Sequence, residues 1–226
     1  MKSSVIIFPG SNCDRDMDVA LNKFGFKNQM VWHNDKSIPK SDLIVLPGGF
    51  SYGDYLRCGS IASKSKIIKS VVDFAHSGGL VLGICNGFQI LTEANLLPGT
   101  LIMNKSLKFI CKEVQLKTIN KTSLFTKEIK EDVIKLPIAH KMGNYVVSDS
   151  ELTKIINNDQ IAFKYCSSSG ICDKKNNPNG SVQNIAGILS KNKKILGMMP
   201  HPERHTENAH GCQDGYPFFE GLLVRS

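Results

Sequence analysis

Two stretches far apart in the chain carry residue types that together perform acyl transfer. The first is Gly83-Ile-Cys-Asn-Gly87. It follows the apolar run Leu80 to Ile84, which reads as a strand buried on both faces, and leads into the helical pattern Phe88, Ile90, Leu91. Strand, sharp turn and helix with a reactive side chain at the turn form a nucleophile elbow, here with cysteine in the place of serine. The flanking glycines are required because a side chain would collide across so tight a turn. At a helix N-terminus, unpaired N–H groups and the helix dipole favour thiolate. The second stretch, Pro200-His-Pro-Glu203, follows another apolar strand. A histidine base needs a group that fixes its tautomer and stabilises imidazolium, and a carboxylate two residues away can do so. Cys85, His201 and Glu203 are therefore expected to form a catalytic triad, with the prolines stiffening its second half.

Acyl transfer also requires donors for a developing oxyanion. The N–H of Asn86, next after the nucleophile, is one. The N–H of Gly48 or Gly49 is the other, from Pro47-Gly-Gly49 at the end of a strand. Gln89 lies one helical turn beyond Cys85, with its Cβ tilted back toward the helix start, and is expected to face the site. The set His201, His205, His210 and Cys212 matches no standard zinc spacing, so no metal is expected. No Walker loop or other nucleotide site is present in the sequence. The remaining cysteines read as small core or loop thiols.

These loops need a scaffold, and the pattern supplies one. Val5 to Phe8 reads as a first strand. Met17, Ala20, Leu21 and Phe24 follow at helical spacing up to Gly25, with Asn12 or Asp14 as cap and Asp16 and Asp18 in the first turn. Gln29 to Trp32 and Leu43 to Leu46 are further strands. A long helix carries Ile61, Ile68, Val71, Val72 and Ala75 on one stripe. Beyond about residue 105 the segments are short and strand-like: Phe109 to Leu116, Val133 to Ile138, Gln160 to Tyr165, Asn184 to Leu189 and Lys194 to Met198. A last helix begins near Tyr216. The expected architecture is α/β, a doubly wound, mostly parallel central sheet with antiparallel additions, forming one domain over residues 1–226. Loops at the C-terminal strand ends of such a sheet build its site.

Composition narrows the classes. The chain has 226 residues, a net charge of +8 and seven cysteines. The cysteines are scattered through apolar segments, and the first apolar segment is too short for a signal sequence, so reduced thiols in the cytoplasm are expected. No apolar run is long enough to cross a membrane. The lysines are spread singly, without arginine clusters or interleaved aromatics, which argues for a solvated face rather than a nucleic-acid surface.

Gly83-Ile-Cys-Asn-Gly-Phe-Gln89 with His201-Pro-Glu203 resembles the class I, or triad, glutamine amidotransferases of flavodoxin-like fold. Phe8-Pro-Gly-Ser-Asn-Cys-Asp-Arg-Asp16, Leu46-Pro-Gly-Gly-Phe-Ser-Tyr-Gly-Asp-Tyr-Leu-Arg57, Pro137-Ile-Ala-His140, Asn177-Pro-Asn-Gly-Ser181 and Gly197-Met-Met-Pro-His-Pro-Glu-Arg204 narrow this further. Together they resemble the glutaminase subunits of phosphoribosylformylglycinamidine synthase, over essentially the whole chain. The resemblance implies hydrolysis of L-glutamine through a Cys85 thioester, with ammonia passed to a separate synthetase subunit in purine synthesis. It implies no cofactor in this subunit, with ATP and magnesium on the synthetase, and a small bridging subunit as a further partner. Phe50, Asn144 and Tyr145 join Gly48, Gly49, Asn86 and Gln89 as substrate-binding candidates. One departure stands out. Where the family carries Gly-Glu-Gly after Ala-His, this chain has Lys141-Met142-Gly143, so a contact made by that carboxylate has no counterpart here. An amidotransferase of another pathway and a stand-alone cysteine hydrolase are the alternatives; the Ser51-Tyr-Gly-Asp54 loop argues against the first.

Overall fold

The computed structural model describes residues 1–223, so the last three residues of the expected 1–226 span lie outside it. In chain order the elements are β1 (Lys2–Ile7), α1 (Asp14–Lys23), β2 (Lys27–Trp32), β3 (Leu43–Leu46), α2 (Lys66–His76), β4 (Leu80–Ile84), α3 (Asn86–Glu93), β5 (Thr100–Ile102), β6 (Ile110–Thr118), β7 (Val133–His140), β8 (Asn144–Val146), α4 (Asp149–Asn157), β9 (Ile161–Cys166), β10 (Ile185–Leu189), β11 (Ile195–Met198) and α5 (Tyr216–Leu223). A nine-stranded sheet runs β2-β1-β3-β4-β11-β10-β9-β6-β7. It is parallel from β2 to β11 and antiparallel from β11 to β7.

The burial of each strand follows from its place. Every residue of β3 and of β11 is buried, as central strands covered on both faces must be. Along β7, buried residues alternate with half-buried ones, the period of a strand with one face less covered. The parallel half brings the ends of β3, β4 and β11 side by side, in register Leu46↔Gly83 and Met198↔Ile84. The glycine loop, the cysteine turn and the histidine loop each leave one of these ends.

Several boundaries differ from the sequence reading. The helix carrying Ile68 and Val71 starts only at Lys66. Ser65, in extended conformation, separates it from a 3₁₀ turn over Ala62–Lys64, so Ile61 falls outside and Ile67 joins the buried stripe. Neither Asn12 nor Asp14 caps α1; Cys13 holds that position without a side-chain cap, and Asp14 and Asp16 occupy the first turn. Helix α4 and the two-stranded β5–β8 ribbon are additional to the expected elements. The helix buries only Leu152 and Ile155, which leaves a weak apolar stripe. Its start was nevertheless written in Ser148-Asp-Ser-Glu151, where the Ser148 hydroxyl accepts the Glu151 N–H at 3.3 Å.

The close approach of α3 to the sheet depends on glycine. A Cβ on Gly87 would lie 1.9 Å from the Leu46 carbonyl oxygen, and one on Gly83 would lie 2.7 Å from that of Gly87. These neighbours are backbone and cannot rotate aside. Gly87→Ala is expected to destabilise the fold by at least about 3 kcal/mol, measured by urea denaturation.

Candidate active site

Cys85 sits between β4 and α3 with φ 51° and ψ −103°, a left-handed conformation that a non-glycine residue adopts only under constraint. Its N–H donates to the Met198 carbonyl at 2.8 Å, which ties the turn to β11. The thiol donates weakly to the Ala139 carbonyl at 3.7 Å. The sulfur sits at the N-terminus of α3 as expected, yet burial dominates and pushes its pKa well above the ordinary thiol value. The nearby Cys13 thiol and Glu203 carboxylate push the same way; a hydrogen bond from the Asn86 N–H opposes them. The thiolate expected from the helix N-terminus is therefore not the resting form. Because Asn86 aims its N–H at the sulfur, that group is placed to serve as an oxyanion donor.

His201 leaves β11 through Met199 and Pro200, and its N–H donates to the Pro137 carbonyl at 2.9 Å. Its Nδ1 meets Glu203 Oε1 at 2.6 Å, with both residues almost wholly buried, 1% and 2% exposed. A carboxylate accepts only, so Nδ1 carries the hydrogen and Nε2 is left as the basic lone pair. Nε2 has no partner, nor has Glu203 Oε2. The glycine loop closes against the ring: a Cβ on Gly48 would lie 2.7 Å from His201 Cε1 and 3.1 Å from Cys13 Sγ. Gly49, at φ 147°, packs against the backbone of Ser11 and Asn12.

The other candidates divide. Asn86 and Gln89 form a buried clamp: Asn86 Nδ2 donates to Gln89 Oε1 at 2.8 Å and to Asp54 Oδ1 at 3.3 Å, and its Oδ1 accepts the Ser51 N–H at 3.2 Å. Gln89 Nε2 donates to the Met142 carbonyl at 2.6 Å. Gln89 therefore spans two walls of the site with its amide committed. Phe50 gives its N–H to Gly10, and its ring is partly exposed. Tyr145 is buried, with its hydroxyl on the Pro98 carbonyl at 2.9 Å and its ring stacked on Phe88. Those two contacts hold both its hydroxyl and its ring. Asn144 reaches the Met103 carbonyl at 3.5 Å with a buried, unpartnered Oδ1. Met142, which stands where the resemblance would place a carboxylate, packs its Sδ on Cys58 Sγ at 3.2 Å.

Cys13 is a residue that the sequence reading placed merely in a core or loop. Its sulfur lies with donor atoms of His201 and Glu203 in a cluster within 4.8 Å. Burial, with Glu203 adding, pushes its pKa up to about 12, against the lowering influence of Arg204. As a metal site the cluster fits poorly. The histidine and carboxylate are bonded to each other, and the Arg204 guanidinium, 3.1 Å from the sulfur, would oppose a cation. Arg204 also pairs with Asp16, and Arg57 with Glu93, so both arginines have structural partners.

Known proteins resemble this chain in sequence and in fold. Residues 1–213 match the family model of the CobB/CobQ-like glutamine amidotransferase domain. The chain is 60% identical over 223 residues to the phosphoribosylformylglycinamidine synthase subunit PurQ of Pelagibacter ubique, covering 99% of this chain and 98% of the relative. It is 51% identical to the subunit of the same name from a Ruegeria species, covering 98% and 97%. Among solved structures, a chain of PurLQS from Thermotoga maritima is similar with a TM-score of 0.87 at 41% identity, covering 98% of this chain and 97% of that one.

The buried thiol gives a pH signature. A raised pKa leaves Cys85 protonated at pH 7, and thiolate grows as pH rises. Its alkylation by iodoacetamide in the absence of substrate is expected to be slow at pH 7 and still climbing above pH 9, read by peptide mass spectrometry; a rate already saturated at pH 7 contradicts this.

Proposed function

The chain belongs to the CobB/CobQ-like glutamine amidotransferase family, in the branch of the PurQ subunits of phosphoribosylformylglycinamidine synthase, and from that membership we propose how its residues work. The protein is a glutaminase subunit of purine biosynthesis. The observation that carries the mechanism is the juxtaposition of a strained elbow cysteine with a buried His–Glu pair on the neighbouring strand end.

Cys85 is the nucleophile. His201 Nε2 takes its proton as the sulfur attacks the carboxamide carbon of L-glutamine, and Glu203 stabilises the imidazolium through Nδ1. The oxygen of the tetrahedral adduct is held by the Asn86 N–H and a glycine-loop N–H from Gly48 or Gly49. His201 then protonates the departing nitrogen, and ammonia leaves a γ-glutamyl thioester. Water attacks this with His201 as base, releasing glutamate and regenerating the thiol. Burial raises the pKa of the thiol, which gives the histidine base its part in forming the nucleophile.

The ammonia passes to a synthetase subunit, where ATP and magnesium drive formation of formylglycinamidine ribonucleotide from formylglycinamide ribonucleotide. The similarity to a chain of PurLQS from Thermotoga maritima supports such a complex; a small third subunit bridging the two completes this proposal. No helix among the described residues is long and apolar enough to cross a membrane. We assign the protein to the cytoplasm on its reduced cysteines.

Ammonia release from glutamine, measured with the synthetase present, tests the assignments. Cys85→Ala is expected to abolish turnover. Glu203→Gln is expected to lower kcat by about 10²- to 10⁴-fold with little change in KM, because it spoils the tautomer and not the binding. Turnover retained by Cys85→Ala would show that another group is the nucleophile.

A further inference from the structure

The C-terminal half of β7 and the turn that follows it touch the site at three points. The Pro137 carbonyl accepts the His201 N–H at 2.9 Å, the Ala139 carbonyl accepts the Cys85 thiol at 3.7 Å, and the Met142 carbonyl accepts Gln89 Nε2 at 2.6 Å. His140 lies within this segment, 2% exposed, and the mechanism so far gives it no task.

Its tautomer follows from its neighbours. Asn104 Nδ2 donates to the carbonyls of Lys108 and His140, each at 2.9 Å, so that amide has one possible orientation. Asn104 Oδ1 therefore faces the Gly143 N–H at 3.0 Å and His140 Nδ1 at 3.1 Å. Two acceptors cannot pair, so His140 Nδ1 carries the hydrogen. Its Nε2 is then a bare acceptor, buried and without a partner. The ring is held in place by Gly143, where a Cβ would lie 2.3 Å from His140 Cε1. Burial, and then the charge of nearby His201, lowers the pKa of His140 to about 4, so the ring stays neutral at pH 7.

We propose that His140 is a substrate-binding residue whose Nε2 accepts an N–H of the glutamine carboxamide and, after cleavage, of the departing ammonia. The proposal rests on the glutaminase reading. A carboxamide brought out of water to Cys85 carries two N–H donors, and a buried donor needs an acceptor. His140 sits one residue from the carbonyl that touches the sulfur, which favours the reacting amide over the substrate's distant ammonium group. An acceptor of such low basicity takes the hydrogen bond without competing for the proton that His201 delivers. No bond to His140 is made and no proton is transferred to it.

Two variants separate this role from a structural one. In His140→Asn the amide nitrogen replaces Nδ1 toward Asn104 and the Nε2 acceptor is lost. In His140→Gln the longer side chain places an amide oxygen where Nε2 was. Each is assayed in the complex with the synthetase on glutamine and on the γ-methyl ester of glutamate, which lacks the N–H. His140→Asn is expected to lower kcat/KM for glutamine by about 10-fold while the ester changes less than about two-fold, and His140→Gln to recover most of the glutamine activity. Wild-type glutamine activity in His140→Asn, a parallel loss on both substrates, or a Gln variant no better than the Asn variant overturns the proposal. A wild-type complex inactive on both substrates sinks the glutaminase reading, and this proposal with it.

Discussion

Everything at the site depends on how closely α3 approaches β3. Gly87 lets the first turn of the helix lie against the Leu46 carbonyl with no room for a methyl group. That contact fixes the helix N-terminus, and Cys85 absorbs the geometry by taking a left-handed backbone conformation. The strain is local, and the hydrogen bond from Cys85 N–H to Met198 and the packing of α3 hold it. In return, the sulfur and the Asn86 N–H meet at one point, beside the strand end from which His201 departs.

The same packing sets a tension between burial and reactivity. Cys85, His201 and Glu203 are nearly sealed, and His201 Nε2, Glu203 Oε2 and His140 Nε2 are buried without partners. Unpaired buried polar atoms cost about 1–3 kcal/mol each, a cost sustained where a substrate will later satisfy them. Burial also raises the pKa of the thiol, so in the proposed mechanism reactivity waits on proton transfer to His201 rather than on a standing thiolate. The walls are joined rather than independent: the Asn86–Gln89 clamp bonds the Ser51–Asp54 loop, the elbow helix and the Met142 turn together. Residues 52, 54 and 56 of that loop and its continuation have positive φ, and Tyr55 and Leu56 are exposed.

The sequence made β1, β3 and β4 legible because each carries a short apolar run followed by a glycine-bearing turn. It made the elbow and the His-x-Glu pair legible because their chemistry requires those residue types at those positions. Helix α4 was hidden by a two-residue apolar stripe, although its capping serine was visible. Gln89 read as facing the site because a polar side chain among apolar neighbours suggests one; in the structure its amide meets the Met142 carbonyl, and the Tyr145 hydroxyl meets that of Pro98. Cys13 and His140 stood in the motifs that carry the resemblance but were given no individual role, because their pairings run across the fold, Cys13 with Arg204 and His140 with Asn104, and no local pattern announces them.

The claim at the centre is that Cys85, among seven cysteines, is the one that glutamine chemistry reaches. A glutamine analogue bearing a chloromethyl ketone in place of the carboxamide tests it directly, applied to the complex with the synthetase and mapped by peptide mass spectrometry. The thiol should displace chloride and leave one adduct, on Cys85, with glutamine protecting. A label on the exposed Cys111 or Cys172 that glutamine does not block, or one on Cys13 with Cys85 unmodified, would contradict the account.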